Sequence, residues 1–204
     1  MPDLSFTIDG MEAVLDSAAP KLNTRVRIRN ACAGERVNSI ALRCQTNIEP
    51  ARRTYNAKEK ALLQNVFGSL DQWHSTVRPL VWTSTQIAVP GFTGSSIVDM
   101  PIACSFDLNI RAANYLDAVC EGEIPLSFLF SGTVFYEAND APVQIVQIPW
   151  DREATFRLPV GMYKEVIASP DQISDWAALN QLVRERVERC RSAATGASNV
   201  SKNE

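Results

Sequence analysis

Alternation of apolar and polar residues is the feature that most limits what this chain can become. In residues 21–30, Leu22, Thr24, Val26 and Ile28 fall on one side of an extended backbone, while Arg25, Arg27 and Arg29 fall on the other. That period of two describes a half-buried strand with a basic outer face. The clearest run covers 98–110, where the even positions are Val98, Met100, Ile102, Cys104, Phe106, Leu108 and Ile110 and the odd ones are largely polar. Shorter runs at 4–9, 37–48, 77–89, 124–130, 133–136, 143–148 and 154–158 complete the set. The expected fold is mainly β (α+β): an antiparallel β-sandwich of about 7–9 strands. Strands 21–30 and 37–48 are expected to form a hairpin turning at Gly34 and Glu35, with Ile40, Leu42, Cys44 and Ile48 on one face of the second. Gly132, inside an otherwise unbroken β pattern, predicts a bulge at which one long strand switches sheets.

Two segments carry helical rather than β signals. Asn56-Ala57-Lys58-Glu59 has the form of a capping box, followed by an apolar stripe of Leu62, Leu63, Val66 and Phe67 and by Gly68 as a stop. Ser169-Pro170-Asp171-Gln172 opens a second helix, whose residues Ile173, Trp176, Leu179, Val183, Val187 and Cys190 recur at steps of three and four. The expected organisation is a β-sandwich domain over 1–168 with a short helix inserted at about 56–67, a C-terminal amphipathic helix over 169–191 packed on it, and a disordered tail over 192–204.

The net charge of −3 hides an asymmetry, for residues 21–60 hold ten of the twenty bases and only three acids. In the expected hairpin Arg25, Arg27, Arg29 and Arg43 share a face; with Arg52 and Arg53 they form a candidate partner-binding set. The bland alternative is solvation, with internal pairing to residues 97–175, where twelve acids outnumber four bases. Nucleic acid is not expected, since the overall balance is acidic and no aromatic residues interleave with these arginines. No run approaches 18 apolar residues, so no membrane span is expected. The opening Met1-Pro2-Asp3-Leu4-Ser5-Phe6 has neither the basic nor the apolar region of a signal peptide, and the expected location is cytoplasmic.

Recognisable catalytic chemistry is sparse. The five cysteines (Cys32, Cys44, Cys104, Cys120, Cys190) form no Cys-x-x-Cys pair, and His74 is the only histidine, so neither a metal site nor a cofactor is expected. Cys44 and Cys104 read as small core hydrophobes. Phosphate-binding glycine motifs and the Gly-x-Ser-x-Gly elbow do not occur, and the glycine-rich stretch 90–96 reads as a connection between strands. Trp82, Trp150 and Tyr55 read as core or rim aromatics. If the protein is an enzyme, the sequence offers a cleft near His74, lined also by Arg52, Arg53 and Tyr55.

Six stretches together carry a family resemblance: Ile40-Ala-Leu-Arg-Cys-Gln45, Ile48-Glu-Pro-Ala-Arg-Arg-Thr-Tyr55, Val66-Phe-Gly68 with Trp73, Gly122-Glu-Ile-Pro-Leu126, Phe130-Ser-Gly-Thr-Val-Phe-Tyr136 and Ile148-Pro-Trp-Asp151. Across residues 4–190 the chain resembles an uncharacterised bacterial family typically encoded beside the genes of oxygen-tolerant nickel–iron uptake hydrogenases. The resemblance implies a role near hydrogenase assembly or operation and supplies no catalytic residues. The expected function is that of a non-enzymatic accessory or binding protein whose partner is another protein, a hydrogenase or its assembly factors. The alternatives are a chaperone resembling SecB and an enzyme of unrecognised type.

Overall fold

A computed structural model describes residues 1–14, 21–32, 35–104, 109–138 and 142–168. The chain divides into a body, Met1–Val166, and a second unit, Ile167–Glu204, of which only the first two residues are described. The expected C-terminal helix and tail therefore lie outside the described residues, as do Phe106 and Leu108.

Among the described residues eight strands form two antiparallel sheets, as the alternation predicts. One holds three strands in the order β1 (Leu4–Val14), β2 (Lys21–Asn30), β5 (Ser95–Ala103). The other runs β4 (Leu80–Thr93), β3 (Glu35–Ile48), β6 (Glu123–Ala138), β7 (Gln144–Gln147), with β8 (Glu153–Pro159) also paired to β6. The inward faces are the ones that period two assigns: Leu22, Val26 and Ile28 of β2, Ile40, Leu42 and Cys44 of β3, and Met100 and Ile102 of β5 are all fully buried. Phe6 of the first sheet stacks on Phe130 of the second, ring centroids 4.3 Å apart and nearly parallel, which joins the two sheets face to face.

Strand pairing departs from expectation at one place. β2 and β3 do not form a hairpin; they belong to different sheets. The reason lies in Asn30, which is buried. Its side-chain oxygen accepts from the N–H groups of Asp3 (3.1 Å) and Cys32 (3.1 Å), and its amide donates to Glu35 O. These bonds, with Ala31 N–H to Asp3 O at 2.9 Å, hold a corner that carries the chain out of one sheet and into the other. Both edges of β2 are already taken, by β1 and by β5. The chain returns at Gly94, whose φ of 74° makes the tight turn from β4 to β5 within the glycine-rich stretch.

Gly132 is special for another reason than a sheet switch. β6 stays paired with β3 from Leu126 to Ala138, on both sides of Gly132, and the change happens on its other edge, where β8 pairs with Glu123–Leu129 and β7 with Thr133–Tyr136. Gly132 marks the handover: its φ is 141°, and a Cβ there would come within 2.1 Å of Ala41 O.

The capping box forms as read, with Asn56 Oδ1 accepting from Glu59 N–H at 2.8 Å, and opens α1 (Ala57–Phe67), which ends at Gly68. Only Leu63 and Phe67 of its expected stripe are buried, while Leu62 is exposed. After a short helix, α2 (Trp73–Thr76), come two helices that the sequence reading did not include, α3 (Ile110–Ala118) and α4 (Val160–Ile167). Ile110 thus begins a helix and does not end a strand. Asn109 is its cap, accepting from Arg111 N–H and Ala112 N–H, and the side chain of Ile110 is exposed. Tyr163 of α4 packs edge-on against Trp82, 6.0 Å between centroids.

Two outcomes test this arrangement. Gly132→Ala is expected to lower stability by about 3 kcal/mol or more, because strain at positive φ adds to a backbone clash. At Gly10 an added Cβ meets nothing within 4 Å, so Gly10→Ala should stay within about 1 kcal/mol; urea unfolding of both variants measures the contrast. The thiols give the second test. Burial pushes Cys44 and Cys104 up to about 12, so at pH 8 both remain protonated. Native-state alkylation mapped by mass spectrometry should label neither, and unfolding in denaturant should expose both.

Candidate functional site

The first polar cluster grows from the segment between β3 and α1. Pro50–Arg52 make a single turn of 3₁₀ helix after β3, and Arg53 follows in extended conformation, which turns its side chain back into the protein. Its guanidinium donates to Glu59 Oε1 (2.6 Å), Glu121 O (2.6 Å) and Glu123 O (2.9 Å). Glu59 closes the arrangement from α1: Oε1 also accepts from Cys120 N–H at 2.8 Å, and Oε2 accepts from Asn56 N–H. The two side chains are 8 % and 1 % exposed, so this ion pair is nearly removed from water. Charges buried in this way require compensating hydrogen bonds, and Glu59 obtains them from two backbone donors besides Arg53.

Aromatic rings extend the cluster. Arg53 lies over the Tyr55 ring, 5.6 Å from its centroid. Tyr55 donates its hydroxyl proton to Pro50 O (2.7 Å), so it accepts from the Tyr115 hydroxyl 3.0 Å away. Burial pushes both phenols above their ordinary range, Tyr55 further through the neighbouring Tyr115. They act as a fixed hydrogen-bond chain and not as proton donors at neutral pH. Trp73 and Phe67 complete the group edge-on, and Trp73 Nε1–H donates to Gly68 O at 3.0 Å. Beside this cluster is an open hollow of about 930 Å³, lined in part by Arg52, Arg53, Tyr55, Glu121, Glu123 and Arg157. Three residues of the expected cleft, Arg52, Arg53 and Tyr55, therefore meet. His74 is not in the lining; it is exposed on α2, with Nδ1 2.9 Å from Asp71 O.

The arginine set is dispersed. Arg25, Arg27 and Arg29 do share the outer face of the three-stranded sheet, and all are exposed. Arg27 is paired internally, in bidentate fashion with Asp9 of β1 at 3.1 and 2.5 Å, not with the acid-rich second half. Arg25 is in register with Asp99, and Arg29 with Ser5 and Ser95. Arg43, lacking the hairpin that would have placed it beside them, sits on the outer face of the other sheet, where its guanidinium meets the Gln86 side-chain amide. Arg52 is exposed at the hollow and Arg53 is committed to Glu59. No single face gathers the six.

What sequence reasoning missed is apolar. Trp150 is 91 % exposed, on the turn between β7 and β8, and is neither a core nor a rim aromatic. Val143, which precedes β7, and Ile145 within it are also exposed. The available signal was the run Pro142-Val-Gln-Ile-Val-Gln-Ile-Pro149, uncharged throughout and ending one residue before Trp150. Among the described residues no group of three His, Cys, Asp or Glu side chains is placed to hold a metal ion, and no helix is long and apolar enough to cross a membrane.

These features define a mainly β protein of two antiparallel sheets, with α1 and the end of α3 meeting at a buried Arg–Glu pair and, among the described residues, an apolar edge that no strand covers. The chain belongs to the Family of unknown function (DUF6084), which it matches over residues 1–201. No curated protein matches it. Among solved structures it is similar to the CARDB domain of the PF1109 protein from Pyrococcus furiosus, crystallised in complex with di-metal ions, at 10% identity over 78% of this chain and 87% of that one, TM-score 0.29. It is also similar to a protein described as late embryogenesis abundant (LEA), at 13% identity over 78% and 73% of the two chains, TM-score 0.32. Likenesses at this level carry no functional information.

The buried pair generates a prediction. Glu59→Ala should cost about 3–5 kcal/mol, since it leaves the Arg53 charge uncompensated. Adding Arg53→Met should recover part of that loss, while the Cys120 and Asn56 donors stay without their acceptor. A double-mutant cycle by chemical denaturation reads the coupling, and strictly additive losses would show that the pair does not act as a unit.

Proposed function

We propose that this chain is a non-enzymatic accessory protein that works by binding another protein, and that its partner belongs to the assembly or operation of a nickel–iron hydrogenase. The observation that carries the binding role is Trp150. A tryptophan 91 % exposed on a turn satisfies no folding requirement of its own body. Tryptophan is also the side chain most enriched among residues that dominate binding energy, because it buries a large rigid surface at small entropic cost. The hydrogenase connection rests on the resemblance carried by the six stretches, among them Ile148-Pro-Trp-Asp151, which contains Trp150 itself.

Capture from the native host with the tagged chain, followed by mass spectrometry, tests both parts. Hydrogenase subunits or maturation factors are expected with the wild type. Trp150→Ala should keep the circular dichroism and melting temperature of the wild type and weaken their binding about thirtyfold, the loss of about 2 kcal/mol expected at a hot spot. Undiminished recovery by Trp150→Ala overturns the role given to the turn, and wild-type capture without any hydrogenase component overturns the choice of partner.

A further inference from the structure

We propose that β7 is a self-pairing edge through which two copies of this chain join the free edges of their five-stranded sheets. The inference starts from the segment itself. Residues 143–148 read Val-Gln-Ile-Val-Gln-Ile: four β-branched aliphatic residues and two glutamines, without charge, glycine or proline. A six-residue run of this kind is the composition that pairs most readily with a copy of itself. Proline bounds it on both sides, at Pro142 and Pro149.

Its place in the fold makes the run available. β7 pairs with β6 on one side, and among the described residues no strand pairs with the other. Ile148 N–H donates to Gly132 O at 2.9 Å. By the alternation of an antiparallel ladder, Val146 and Gln144 then also turn their backbone groups toward β6, and Val143, Ile145 and Gln147 turn theirs to the open side. Gln144 accepts from the Tyr136 hydroxyl (2.7 Å) and Gln147 donates to Thr133 Oγ1 (3.1 Å), so both amides are occupied within the sheet. Ile145 is left 64 % exposed and Val143 52 % exposed.

Charge selects a second copy as the occupant. Two other edge strands carry charges that identical neighbours would oppose: Asp9 and Glu12 on β1, and Asp99 on β5. β4 lies against β5, where Thr85 Oγ1–H donates to Pro101 O. β7 combines an open edge with a neutral, apolar face that meets no repulsion from itself. A two-fold axis perpendicular to the sheet at Ile145 sets this residue opposite the second copy's Ile145, and Val143 opposite the second copy's Gln147. Each Ile145 then exchanges both backbone hydrogen bonds with its counterpart. The prolines end the ladder after six residues, and the symmetry uses up the edge, so the assembly closes as a dimer and does not grow into a fibre.

Sedimentation equilibrium of the purified full chain tests this without reference to Trp150 or to any hydrogenase. The expected mass is twice the 22.5 kDa of the single chain. Ile145→Lys sets like charges opposite each other across the two-fold, and Val143→Lys, separately, replaces an apolar contact of the paired edge with a charge; each should return the single-chain mass with an unchanged circular dichroism spectrum. Ile97→Lys, at an exposed site on β5, should leave the dimer intact. A wild-type chain that remains single overturns the proposal and leaves the edge to a strand from a different protein; a dimer that survives both lysine variants overturns it equally.

Discussion

The ion pair between Arg53 and Glu59 is the constraint on which the rest of the body is arranged. Isolated in a medium of low polarity, either charge would be strongly unfavourable, so the surrounding chain must supply donors and acceptors in fixed places. It does so from three directions: the N-terminus of α1 through Asn56, the end of α3 through Cys120, and the first turn into β6 through the carbonyls of Glu121 and Glu123. β6 is the strand that pairs with β3, β7 and β8. Fixing its entry point fixes the register of the five-stranded sheet.

This dependence explains why a polar cluster so rich in ionisable groups reads as architecture. Each functional atom of Glu59 has a partner within the chain, and the two phenols beside it are locked in one direction of donation. The groups left over for a ligand are those at the rim of the hollow, Arg52 and Arg157 against Glu121 and Glu123, which balance one another in charge. The apolar surface at β7 and Trp150 has no such internal satisfaction, and it is there that contact with another molecule gains most.

How much of this was legible depended on whether the information was local. Period two in 21–30 and in 98–104 named the buried faces correctly, because alternation is a property of the strand alone. The choice of partner strand is not: nothing within residues 21–48 reveals that the Asn30 side chain will bond Asp3 and turn the chain into another sheet. Even-numbered apolar residues continue through Ile110, which hid the cap at Asn109 and with it α3. Glu59 was recognisable as a capping residue from its spacing to Asn56, but its bond to Arg53, six residues earlier and across the helix entry, belongs to tertiary structure. Trp150 was misread because alternation says nothing about side chains on turns.

The path of the chain between the two sheets has a consequence for its synthesis. The middle strand of the three-stranded sheet, β2, ends at Asn30, whereas the strand that covers its second edge, β5, begins at Ser95. A ribosome adds the intervening residues in roughly 3–13 s. Through that interval the nascent β1–β2 ribbon has an apolar face that Phe130 has not yet met and an open ladder beside Arg25, Arg27 and Arg29. Arg27 is paired with Asp9 of the same ribbon, and Arg25 and Arg29 put charge along the open edge, which disfavours pairing with a second such ribbon. On this view the arginines act early, as a guard on an unfinished edge.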